Sequence, residues 1–138
     1  MSRMLPAALF VVLATLTFAT AEIVVPDDLK DYINELHDHC LKEMGLTEGD
    51  HKNYNIHVKD PKMMCYMKCL MTTSKWMNMD ESIQYDFILS SVHPAVKNIL
   101  LPALDKCRDI PKGTMECEKA YNFNMCLFNA DPENWFFI

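Results

Sequence analysis

The chain has 138 residues, room for one domain and too few for two comfortable ones. Its formal net charge is -6, from 19 acidic and 13 basic residues, and no basic block occurs, which argues against a nucleic-acid or anionic-membrane surface. Only 3 glycines are present, so hairpin-rich folds, phosphate-cradling loops and dinucleotide fingerprints are disfavoured.

In chain order, residues 1–21 read as a secretory signal and residues 22–138 as the domain. Arg3 gives a short positive start, Ala7 to Phe18 is an apolar run, and Ala19-Thr20-Ala21 offers a small-x-small cleavage pattern. No later stretch approaches the roughly 20 apolar residues that a membrane span needs. An even number of cysteines, here 6, in a small secreted chain reads as a disulfide framework, although many pairings are open. His37, His39 and Cys40 form a local cluster, but zinc sites usually combine two closely spaced cysteine pairs. Cys65 and Cys69 have no such second pair, so neither a metal nor another cofactor is expected.

From Pro26 onward, Leu29, Tyr32, Ile33, Leu36, Cys40 and Met44 recur at helical spacing, and Gly45 stops the run. Thr47 with Asp50 three residues on predicts a capping box opening a short second helix. Asp60-Pro61 predicts the start of a third, running to about Met77, with Cys65, Cys69, Thr72 or Thr73, and Trp76 on one face. Asp80 is expected to cap a fourth helix carrying Ile83, Phe87 and Ile88 and ending before Pro94. Val96, Ile99, Leu100, Ala103, Leu104 and Cys107 mark the inner face of a fifth, which Pro102 should kink. Gly113-Thr114 opens a sixth, to about Phe128. No two-residue alternation is sustained, so the class is all-α.

Cys65 and Cys69 lie one helical turn apart and point the same way, which makes a bridge between them awkward. They are expected to hold two different neighbours. Cys117 and Cys126 face opposite sides of the sixth helix and pin it between two partners. Each bridge contributes on the order of 2–4 kcal/mol, mostly by restricting the unfolded chain. Short helices cross-linked in this way form a shell that tolerates a hollow interior.

The candidate lining is rich in methionine and aromatic residues: Met63, Met64, Met67, Met71, Trp76 and Met77 in one stretch, with Phe87, Tyr121, Phe123 and Met125 beyond it. Methionine is flexible and polarizable, and suits a surface that adapts to differently shaped apolar guests. Trp135-Phe136-Phe137-Ile138 ends the sequence with four apolar residues, which would be an aggregation patch in water and are expected to tuck into the body as a lid.

The spacing Cys40-x24-Cys65-x3-Cys69-x37-Cys107-x9-Cys117-x8-Cys126 resembles the six-cysteine pattern of the insect pheromone- and general-odorant-binding proteins. Leu36-His37-Asp38, Cys65-Tyr66-Met67-Lys68-Cys69, Cys117-Glu118-Lys119-Ala120 and Ala130-Asp131-Pro132 strengthen the resemblance, which is strongest to members whose tail forms a wall of the pocket. It implies a six-helix shell around an apolar cavity, with bridges Cys40–Cys69, Cys65–Cys117 and Cys107–Cys126. The implied function is non-covalent carriage of small hydrophobic odorants or pheromones through the lymph of sensory hairs. An odorant receptor is the implied onward partner; several relatives pair into a homodimer, and the sequence leaves monomer or dimer open; no catalytic residue is implied.

Expected ligand contacts are Tyr66, Met71, Thr73, Trp76 and Phe87, then Tyr121 and Phe123, then Trp135, Phe136 and Phe137 of the tail. In relatives, a side chain three residues before the first cysteine, the tyrosine after the second, and the terminal carboxylate form a latch. His37, Tyr66 and Ile138 correspond, and protonation would open the latch. His39, His51, His57 and His93 are read as surface or loop residues. Asn122 stands where mosquito relatives carry a large aromatic, and Pro102 is a second departure from the family pattern. Two other classes compete with the carrier. His37-Asp38 faintly resembles the pair of secreted phospholipase A2, but the glycine-rich calcium loop is missing. A secreted signalling or effector protein would have a solid core instead of a cavity.

Overall fold

The computed structural model describes residues 25–138, so the expected signal segment lies outside the described residues. Among the described residues six helices follow one another: α1 (Asp27–Met44), α2 (Glu48–Lys52), α3 (Pro61–Thr73), α4 (Tyr85–Ser91), α5 (Pro94–Lys106) and α6 (Glu118–Ala130). Among the described residues the only strand-like pairing is an isolated bridge between Met77 and Ile83.

Local chemistry sets most of the boundaries. Gly45 closes α1 in the left-handed region (φ 63), which glycine occupies without a Cβ penalty. Thr47 and Asp50 form the reciprocal capping box of α2, and the Asp60 carboxylate accepts from Met63 N at 2.9 Å to cap α3.

Three boundaries differ from the sequence expectation. α3 ends at Thr73 because Lys75 turns left-handed (φ 63) and the amides of Trp76 and Met77 fold back onto the Met71 carbonyl. Asp80 does not cap α4: its carboxylate accepts from the amide and hydroxyl of Ser82, making a turn that delays the helix to Tyr85. α6 begins at Glu118, well after Gly113-Thr114, because residues 113–117 wrap around the Glu118 carboxylate. That carboxylate is buried, pairs with Lys59, and accepts from the amides of Thr114 (2.6 Å) and Met115 (2.8 Å). These bonds, the Lys59 bond first, pull its pKa down to about 2. A Cβ at Gly113 would collide with this side chain, so the turn requires glycine there. Pro102 does not interrupt α5; its ring is exposed, and the Asn98 carbonyl that loses its partner lies at an exposed position where water can take it.

Three disulfides brace the helices. Cys40–Cys69 ties α1 to α3, Cys65–Cys117 ties α3 to the head of α6, and Cys107–Cys126 ties the end of α5 to α6. The face argument for Cys65 and Cys69 holds, since they reach different neighbours. Cys117 does not lie on the face of a regular sixth helix as expected: it is the left-handed cap (φ 62) before α6, yet it still bridges a different helix from Cys126. The core has two parts. One centres on Leu36, Cys40 and Tyr66 between α1 and α3, and the other on Met64, Phe123 and Leu104 among α3, α5 and α6.

Candidate functional site

Between these braced helices lies a cavity of about 740 Å³. α1 presents Leu29 and Ile33 to it, α3 presents Met67 and Met71, and α5 presents Val96 and Leu100. Phe123 and Leu127 of α6 complete one side, and the segment Asn134–Ile138 lies across another. Exposed Tyr32, Phe87 and Phe136 border the same space and mark where it meets solvent.

Of the expected contacts, Met71, Trp76, Phe87, Phe123, Trp135, Phe136 and Phe137 border the cavity. Tyr66, Thr73 and Tyr121 do not. On α3 the cavity-facing positions are 67, 70, 71 and 74, the i, i+3, i+4, i+7 set, and residues 66 and 73 fall off that stripe. Tyr66 is buried between α1 and α3, and Thr73 sits exposed with Oγ1 about 4 Å from the Cys40–Cys69 sulfurs. On α6, position 121 lies roughly 200° from position 123. Tyr121 therefore packs on the far side, with the Lys59 ammonium 5.7 Å from its ring centre.

Met63, Met64, Met77 and Met125 are packing residues away from the cavity, so the methionine count overstates the lining. Asn122 is also outside it and donates to the Pro111 carbonyl at 3.0 Å. Two walls escaped the ligand reading: the α1 face and the α5 face. Their periodicity is plain in sequence, but helical spacing alone does not separate a wall from a core.

A connected polar cluster holds the tail. Tyr66 donates its hydroxyl proton to the main-chain oxygen of Ile138 at 2.6 Å, and His37 Nδ1 lies 2.7 Å from the same phenol. The Tyr66 proton is committed to Ile138, so the phenol oxygen accepts from His37 Nδ1–H. His37 Nε2 lies 2.7 Å from Glu48 Oε1, which links α2 to the same cluster. His51 Nε2 makes a second bond to the Ile138 oxygen, 2.7 Å. This corrects the reading of His51 as a surface residue: it stacks on Phe137 with ring centres 4.7 Å apart, and Phe137 stacks on Trp135. Burial lowers the His51 pKa and outweighs the opposing pull of the Ile138 bond. Burial raises that of Tyr66, which stays a donor, and the bond from His37 lowers that of Glu48. His93 is a loop residue, as read from the sequence; it caps α5 through Ala95 N and borders the cavity.

His37, Glu48 and His51 offer ligand atoms within 4.8 Å of one another, but His37 and Glu48 bond each other and His51 bonds Ile138. The two other such groups contain disulfide sulfurs, which are not thiolates.

Comparison with known proteins agrees with this architecture. Residues 24–130 match the PBP/GOBP family. The chain belongs to that family. It is 33% identical over 94 residues to the pheromone-binding protein Gp-9 of Solenopsis globularia littoralis, a match covering 64% of this chain and 59% of that one. In fold it is similar to Apis mellifera odorant binding protein 5, with a TM-score of 0.69 at 20% identity, covering 85% of this chain and 100% of that one. It also resembles the fatty acid binding protein OBP56a from the oral disk of the blowfly Phormia regina, with a TM-score of 0.63 at 22% identity, covering 81% and 99% of the two chains.

Proposed function

We propose that this PBP/GOBP-family chain is a secreted carrier that holds a small hydrophobic odorant or pheromone non-covalently beneath its C-terminal tail. The observation that carries the reading is the cavity of about 740 Å³, walled mainly by apolar side chains and crossed by a tail held by hydrogen bonds and ring stacking alone. A cavity of that size suits a drug-sized apolar guest, whereas a signalling scaffold would fill it. The protein acts by binding, without bond chemistry. Residues 1–21 direct secretion, sensory-hair lymph is the place of action, and an odorant receptor is the recipient.

Release is proton-driven in this reading. Charging the half-buried His51 and disturbing the His37–Tyr66–Ile138 chain loosens the tail and opens the cavity. The test is displacement of an environment-sensitive apolar fluorophore from the oxidised protein near pH 7 and near pH 5, the interval in which histidine titrates. Saturable binding near pH 7 that is lost near pH 5, with helicity retained, supports carrier and gate. Equal binding at both removes the gate, and none at either removes the carrier.

A further inference from the structure

The cavity wall contains two amides, Asn124 and Asn134, whose orientations are dictated by their neighbours. Asn124 of α6 donates from Nδ2 to the Ala120 carbonyl one turn back, at 2.9 Å, and the Met71 sulfur lies 3.8 Å from the same nitrogen. Both neighbours only accept, so turning the amide over would set oxygen against oxygen. Oδ1 is thereby left over. Among the described residues no protein group donates to it, and no fully buried side-chain polar atom lacks a partner. The oxygen therefore keeps accessible surface, and Asn124 is among the residues that line the cavity.

Three neighbouring neutral polar groups are committed in the same sense, whereas the Ser91 and Tyr32 hydroxyls, also at the cavity, have no such acceptor among the described residues. Ser74 donates its hydroxyl to the Met71 carbonyl, Ser90 to the Phe87 carbonyl, and Asn134 donates its amide to the Asp131 carboxylate. Each belongs to a residue that borders the cavity, with its donor taken and its lone pairs left. The indoles of Trp76 and Trp135, which also border the cavity, are donors. An aldehyde, ester or ether can satisfy the indoles but never Asn124; a hydroxyl can satisfy both. An ammonium group would have to shed its hydration in a mainly apolar space.

We infer that Asn124 Oδ1 is the anchor for the hydroxyl of an apolar alcohol, and that the protein selects alcohols over aldehydes, ethers and hydrocarbons of the same skeleton. This rests on the carrier reading and names its ligand class. The experiment is displacement of the apolar fluorophore near neutral pH by a long-chain primary alcohol, its methyl ether, the matching aldehyde and the matching hydrocarbon. It is run on the native protein and on Asn124→Leu, with helicity checked. The alcohol is expected to bind on the order of threefold to tenfold tighter than its ether or aldehyde, the range of one net hydrogen bond. In Asn124→Leu the preference should fall to about one, with hydrocarbon affinity kept within about twofold. Equal affinities for alcohol and ether in the native protein, which need no variant, would overturn the inference and leave the carrier standing. So would an alcohol preference that survives in Asn124→Leu. Failure of every compound and of the fluorophore would overturn the carrier reading, and this inference with it.

Discussion

α6 and the C-terminal tail both lie against α3, yet they are held there by different chemistry. α6 is tied at its head to Cys65 of α3 and in its last turns to Cys107 beyond α5, so two covalent bonds fix its place. The tail is held by hydrogen bonds from Tyr66 and His51 and by the stack of His51, Phe137 and Trp135. A disulfide is indifferent to a proton, whereas a hydrogen bond from an imidazole is not. The difference teaches how one small chain keeps a hollow interior and also opens it. Strength sits in the frame and reversibility in one short segment.

The largest expected effect breaks the frame. Replacing Cys65 and Cys117 together by alanine opens a cross-link with a sequence separation of 52. Loop-closure entropy puts the loss at about 4 kcal/mol. Thermal unfolding should show a deeper fall than for the Cys107–Cys126 pair, whose separation is 19 and whose loss is about 3 kcal/mol. Equal falls would mean that loop length does not set the contribution of each bridge.

A smaller effect falls on the tail alone. Tyr66→Phe removes the donor to Ile138 and the acceptor for His37. Tail docking should weaken by roughly 1–2 kcal/mol and fluorophore release should quicken about tenfold, measured by stopped flow, while the melting temperature moves less than in either disulfide variant. A large melting shift with unchanged release would place Tyr66 in the frame instead.

Acid sharpens the same contrast. The folded-state pKa of His51 is depressed from its ordinary 6.5, so its contribution to stability is present above that value and is lost as pH falls below it toward the folded pKa. The groups facing it are His37 of α1, Glu48 and Lys52 of α2, Tyr66 of α3 and the Ile138 oxygen. Tail opening, followed by Trp135 fluorescence, should increase between about pH 7 and about pH 5. His51→Gln, which keeps an N–H donor without titrating, should flatten that profile. An unchanged profile would move the response to another member of the cluster.

The smallest expected effect is Tyr121→Phe, which should alter fluorophore affinity by less than about twofold because its ring lies behind the cavity wall. A larger change, measured by titration, would mean that the far face of α6 contributes to binding.

The frame was largely legible in the sequence. Gly45, Thr47 with Asp50, and Asp60-Pro61 announce their boundaries because the signals are local, as are the heptad-like faces of α1 and α5. The boundaries that slipped, at Thr73, Tyr85 and Glu118, are governed by left-handed residues and by a carboxylate reaching back to amides before it, which periodicity does not register. At the site, the family resemblance pointed to His37, Tyr66 and Ile138, which the fold brings together. Glu48 and His51 escaped because they come from a separate five-residue helix whose docking onto α1 is tertiary. Tyr121 and Thr73 were misread for a simpler reason: one or two residues along a helix is enough to turn a side chain away from a cavity.

The measurement that bears most directly on a reversible tail closing a braced cavity is a comparison of the intact protein with a variant ending at Asn134. Both would be oxidised and titrated with the apolar fluorophore near neutral pH. The account predicts saturable one-to-one binding by the intact chain, with affinity lowered tenfold or more (about 1.4 kcal/mol or more) in the shortened one at unchanged helicity. Equal affinities would contradict the tail as a wall, and an intact chain that does not bind would contradict the cavity as a site.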